Sequence, residues 1–179
     1  MNNLGLYRPP RHISHTPLNP RLLRCSGTIH HSILVGADAV KARIKWVEQV
    51  SFLGETESNH AVLMDGPPDG GGRNLGPRPM ELVLLGTGGC TTYDVIHILK
   101  KSRQEVTDCV VEIQADRATE DPKVFTKIHF HFIVTGNELK PEQVERAIKL
   151  SAEKYCSASI MLGKMADITH DFEVIQTAH

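Results

Sequence analysis

The chain's four cysteines, Cys25, Cys90, Cys109 and Cys156, contain no Cys-x-x-Cys pair. That absence excludes the usual zinc-ligand spacing, and four scattered cysteines are not a disulfide framework. A reducing cytoplasm is the expected compartment. An excess of charge of one sign is also missing. Twenty Lys and Arg stand against twenty-one Asp and Glu in 179 residues, a net charge of −1. Nothing in that balance steers the chain toward nucleic acid or an anionic membrane. No apolar run of signal-peptide form follows the N-terminus. Gly70-Gly71-Gly72 has no following Lys-Ser/Thr and no strand-before, helix-after setting, which excludes a phosphate loop. Before Asp38 there is no acidic residue and no Lys, but there are Arg8, Arg11, Arg21 and Arg24, four Pro and four His. Residues 1–39 carry neither helical nor strand period and are expected to be a disordered or misassigned N-terminal extension. Cys25 within it is expected to be incidental. Residues 40–179 are expected to form a single domain, long enough for a full hydrophobic core.

What is present centres on Arg78-Pro79-Met80-Glu81 and the apolar run that follows it. Pro79 suits the first turn of a helix, where a missing N–H costs nothing. Glu81 then lies near the positive end of the helix dipole. From Met80 to Leu99 only Glu81 and Asp94 carry formal charge. This predicts a central helix from about Met80 to Lys101, packed on most sides. Residues 82–99 are about long enough to span a bilayer, but Asp94, His97 and the glycines argue for a buried helix of a soluble protein. Gly86, Gly88 and Gly89 weaken a helix by up to about 1 kcal/mol each relative to Ala, so their presence predicts a close approach beside Cys90.

Around this helix the patterns alternate. Residues 42–53 predict a strand with Ala42, Ile44 and Trp46 on one face, and His60 to Asp65 the returning strand. Gly66 to Pro77 predicts a loop, either a plain connection or a lid over the helix. Val106 to Ala115 and Phe125 to Thr135 predict strands, the second with Ile128, Phe130, Phe132 and Val134 inward. Cys109 falls on an inward face and is expected to be an inert core residue. Pro141 opens a second helix to about Tyr155, with Val144, Ile148, Ser151 and Tyr155 as its stripe. Residues 157–164 predict a short helix and residues 168–175 a closing strand. The order β-β-α-β-β-α-β predicts an α+β protein, with helices against one side of a mainly antiparallel sheet.

Three segments carry a resemblance: Pro79-Met80-Glu81-Leu82, Gly88-Gly89-Cys90-Thr91, and Ala152-Glu153-Lys154-Tyr155-Cys156-Ser157. Over roughly residues 40–176 the chain resembles the OsmC/Ohr family, the osmotically inducible and organic hydroperoxide resistance proteins. It looks most similar to the YhfA-like branch. The resemblance implies an OsmC-like fold with two central helices carrying the cysteines, in an interwoven homodimer. It implies reduction of organic hydroperoxides, with Cys90 attacking, Cys156 resolving, an external dithiol regenerating both, and no cofactor or metal. Glu81 is implied as the supporting carboxylate, although in the hydroperoxidases the acidic residue follows the proline directly and here Met80 intervenes.

The chemistry asks for two thiols that meet in space, one with a lowered pKa. The bland reading is two buried small residues, since free Cys is among the most buried types. The hydroperoxidases also use an arginine from an early loop; the matching turn, Gly54 to Asn59, has none, leaving Arg43, Arg73 and Arg78 as substitutes. The alternative is a non-catalytic dimer of the same fold that binds a small apolar or reactive sulfur ligand, or senses oxidants through Cys90. Asp94 shares a helix face with Cys90 and is expected to accept structural hydrogen bonds. His97 lies two turns away. His129 and His131 share a strand face, an arrangement that begins a metal site but lacks a third ligand of clear spacing.

Overall fold

The structure, a computed structural model, describes residues 39–177. The expectations for residues 1–39 and for Cys25 fall, apart from Ala39, outside the described residues. The strands form two three-stranded sheets. The first holds β1 (Ala42–Glu48), β2 (Ser51–Thr56) and β3 (Ala61–Met64), all antiparallel. The single strand expected over residues 42–53 is therefore two. Gln49 takes φ of 47°, the chain reverses, and Trp46 pairs with Phe52. No Gly or Asn marks that turn, so the sequence pattern runs through it unbroken.

The connection from β3 to the first helix is pinned rather than lid-like. Asp65 is buried at its centre. Its carboxylate accepts from the N–H groups of Gly66, Arg73 and Leu75 and from the Ser51 hydroxyl. Those bonds hold its pKa at about 2, the Leu75 N–H being the largest cause. Gly72 is required there, because a Cβ would lie 2.1 Å from the Gly66 carbonyl oxygen.

Helix α1 spans Pro79–Lys101. Arg78 precedes it, and the Arg78 N–H donates to Glu81 Oε2 at 2.9 Å. Lys100 and Lys101 close it where cations suit the dipole. Its buried positions are Thr87, Gly88, Thr91, Val95 and Leu99, one stripe at helical spacing. The expectation of packing on most sides is corrected: Leu85 (61% exposed) and Tyr93 (71%) lie on the open side. By length and composition α1 would reach across a bilayer.

The second sheet holds β4 (Glu105–Arg117), β5 (Phe125–Asn137) and β6 (Asp167–Gln176). β4 and β5 are antiparallel, whereas β5 and β6 are parallel. A parallel neighbour needs a crossover, and helices α2 (Pro141–Leu150) and α3 (Ser157–Leu162) supply it. The core lies between these helices and the sheet. Val95 and Leu99 of α1 meet Phe130, Phe132 and Val134 of β5 and Val144 and Ile148 of α2. Gly88 marks the close approach of α1 to β4: a Cβ there would lie 2.6 Å from Ile113 Cδ1. Gly86 and Gly89 have open space instead.

Between α2 and α3 the helix widens into one π turn, Ser151–Tyr155, closed by the Cys156 N–H to the Ser151 carbonyl at 2.9 Å. The wider turn shifts the helical phase. Ser151 stays fully buried, but Tyr155, expected on the inner stripe, is half exposed. Cys156 then leaves the helix at φ −71°, ψ 97° and starts α3.

Candidate functional site

The widened turn delivers Cys156 to the face of α1 that carries Cys90. The two sulfurs and a carboxylate oxygen of Asp94 all lie within 4.8 Å of one another. Residues sixty-six positions apart thus converge. Cys156 is fully buried, while Cys90 and Asp94 are part-buried. Cysteine sulfurs bond at about 2.05 Å, so joining this pair needs a closing movement of the side chains.

Each member is held. Cys156 caps α3, and its Sγ accepts from the Ser159 N–H at 3.4 Å and the Ser159 hydroxyl at 3.2 Å. Burial first, and the neighbouring Cys90 second, push the Cys156 thiol pKa up; the Ser159 donors oppose them. Asp94 is tied to the buried Ser151, whose hydroxyl donates to Asp94 Oδ2 at 3.2 Å. The Thr91 hydroxyl lies 2.9 Å from Ser151 Oγ. Once Ser151 donates to Asp94, Thr91 must donate to Ser151. This chain of hydroxyls fixes one oxygen of Asp94. The expectations that Asp94 shares a face with Cys90 and accepts hydrogen bonds match this geometry; its place beside Cys156 as well is a finding of the structure. The i, i+4 spacing from Cys90 was the available signal; the approach of Cys156 depends on the π turn, which has no sequence signature here.

Glu81 stands apart from this cluster. It lies nine positions before Cys90 on the same helix, about 13.5 Å along the axis at about 1.5 Å per residue. Its carboxylate takes the Arg78 N–H and, at 2.7 Å, Arg78 Nη1, and these bonds hold its pKa below the usual value. The other two substitute arginines are also engaged. Arg43 pairs with Glu55 at 2.6 Å and Arg73 with Glu48. Among the described residues no Lys or Arg makes a hydrogen bond to either sulfur. Arg78, Met80 and Glu81 line a separate cavity of 510 Å³ with Phe52, Leu84 and Phe125.

Cys109 faces the core from β4, and burial first, with Asp108 second, pushes its thiol up to about 11. His129 and His131 gain a partner that spacing did not reveal. Parallel pairing sets Asp171 of β6 opposite His131, 2.6 Å from His131 Nδ1 and 3.2 Å from His129 Nε2. Asp171 holds the His131 pKa above its ordinary value.

An α+β chain of two three-stranded sheets whose helices bring two distant cysteines together defines the class. Residues 70–171 match the model of the family described as OsmC-like protein, and the chain belongs to that family. It is 52% identical to protein YhfA of Escherichia coli strain K12 over 136 residues, 76% of this chain and 98% of that protein. A hypothetical protein from Aquifex aeolicus VF5 superposes with a TM-score of 0.70 at 29% identity, over 79% of this chain and 99% of that one. The organic hydroperoxide resistance protein OhrB of Bacillus subtilis shares the fold, with a TM-score of 0.54 at 16% identity, over 75% of this chain and 98% of its own.

Proposed function

We propose that the protein reduces organic hydroperoxides by a two-cysteine cycle. The observation that supports this most is the convergence of Cys90 and Cys156 beneath part-exposed helix surface. The Cys90 thiolate attacks one peroxide oxygen. The O–O bond breaks, the alkoxide takes a proton and leaves as the alcohol, and Cys90 becomes a sulfenic acid. Cys156 attacks that sulfur, water leaves, and a disulfide forms. An external dithiol reduces the disulfide by two exchange steps and is itself oxidised. Cys156, buried and held as a thiol, suits the second role better than the first. Glu81 enters as the carboxylate that orients Arg78.

The working unit in this reading is a homodimer. Its support is the apolar surface left open on the chain: Leu85 and Tyr93 on α1, and Ile44 and Trp46 on β1 at 61% and 65% exposure. Exposed apolar surface of this kind marks an interaction site. The cytoplasm is the proposed compartment, with no nucleic acid or membrane as partner.

A second reading has support of its own. The three substitute arginines already serve carboxylates, and the 510 Å³ cavity beside Arg78 is lined mainly by apolar side chains. A non-catalytic dimer that binds a small apolar or reactive sulfur ligand, or senses oxidants through Cys90, fits these facts. The test is turnover of an alkyl hydroperoxide with a dithiol, in wild type and Cys90→Ser. Turnover lost in the variant supports the enzyme. Equal, near-zero turnover in both removes it and leaves the second reading.

A further inference from the structure

We propose that the reduced pair Cys90 and Cys156, together with Asp94, is a binding site for a soft divalent cation of the zinc class. The proposal rests on the same meeting of two thiols as the redox reading, but not on turnover.

The carboxylate is the reason. A disulfide cycle needs two sulfurs only. Asp94 has no part in such a cycle. For a cation it is an asset. No ion pair among the described residues uses Asp94. Two sulfurs and a carboxylate oxygen at one point are a donor set that a divalent ion of this class takes as ligands.

The geometry suits such an ion. Zinc holds thiolate sulfur at about 2.3 Å and carboxylate oxygen at about 2.0–2.2 Å, so tetrahedral donors lie about 3.5–3.8 Å apart. The three donors already lie within 4.8 Å of one another, and side-chain rotation covers the difference. Two come from one turn of α1, and the third is set by the π turn. Ser151 donates to Asp94 Oδ2, the kind of outer support that metal ligands use, and among the described residues no hydrogen bond engages Oδ1. A cavity of 370 Å³ lies on the Asp94 side of the cluster, lined by Asp94, His97, Ile98, Lys101, Leu150 and Tyr155 but by neither sulfur.

Metal and disulfide exclude each other. When a hydroperoxide oxidises the two thiols to a disulfide, being itself reduced to alcohol and water, two of three donors vanish and the ion leaves. A bound ion, conversely, shields both thiols from oxidation.

The test uses the full chain, fully reduced, titrated with Zn²⁺ against a chromophoric chelator, and with Cd²⁺ to read thiolate-to-metal absorption in the near ultraviolet. One ion per chain is expected. Cys90→Ser and Cys156→Ser should abolish binding and the absorption band. Asp94→Asn should weaken binding at least about tenfold, since even outer partners of metal sites cost about 10–100-fold. The disulfide form should take up none. Undiminished binding in the double serine variant, unchanged affinity in Asp94→Asn, or no uptake by a chain whose thiols titrate as free would each overturn the proposal. A chain that binds the ion but turns over no hydroperoxide keeps this site and loses the redox cycle; the reverse result loses only the site.

Discussion

Ser151→Ala tests the geometry of the site through stability. The Ser151 hydroxyl is fully buried and sits between Thr91 and Asp94, at 2.9 Å and 3.2 Å. Removing it deletes a hydrogen bond to a charged group, a contribution of about 1.5–3 kcal/mol, and strands the buried Thr91 donor at a cost of about 1–3 kcal/mol. The Thr91 hydroxyl can turn back to a carbonyl in its own helix, as Thr87 and Thr92 do, which recovers part of the loss. The expected net effect is about 2–4 kcal/mol. With a urea slope of about 2 kcal/mol/M for a chain of this size, the midpoint should fall by about 1–2 M. The assay is urea unfolding by circular dichroism at one fixed protein concentration, since association shifts apparent stability. Thr91→Val completes a cycle. With both hydroxyls gone no donor is stranded, so the double variant should be less destabilised than the sum of the singles, by about 1–2 kcal/mol. A Ser151→Ala midpoint within about 0.2 M of wild type, or strictly additive singles, would refute the relay from Thr91 through Ser151 to Asp94.

Two pH predictions follow from carboxylates of known environment. Asp65 has a folded pKa of about 2, below the ordinary aspartate value of about 3.9. A depressed carboxylate contributes stability that is present above its unfolded value and lost as pH falls through the folded one. The stability gap between wild type and Asp65→Asn should therefore shrink between about pH 4 and pH 2, followed by thermal unfolding; a gap constant down to about pH 2.5 would sink the pinned-loop account. The His131 pKa is raised and the Asp171 pKa lowered, each chiefly by their mutual hydrogen bond. Stability from the raised histidine is present below its unfolded value and lost as pH rises through the folded one; for the aspartate the loss comes on the acid side. The pair should thus contribute most between about pH 4 and 6.5. Asp171→Asn should lower the His131 titration midpoint in proton NMR of the ring, and an unmoved midpoint would contradict the pairing.

Much of the architecture was legible from local pattern. Pro79 and Pro141 fixed two helix starts within a residue, because proline fits only the first turn. Alternation in Phe125 to Thr135 named the inward residues of β5, because side chains on a strand alternate between faces. The two cysteines of the site stood out by their small-residue settings and by family resemblance. The turn at Gln49 was invisible, since nothing in the residue types there demands a positive φ. So was the parallel pairing of β6: periodicity gives a strand its faces but not its direction or neighbour. That pairing alone put Asp171 beside His129 and His131. Asp94 reads as a polar interruption of an apolar helix until Ser151 and, past the π turn, Cys156 are packed against it. Sequence by itself determined which elements form and which face of each is apolar, because those follow from periods of two and 3.6 residues. Only the tertiary structure decided which side chains from different elements share a point in space, because that depends on small changes of helical phase and strand order that leave no mark on local composition.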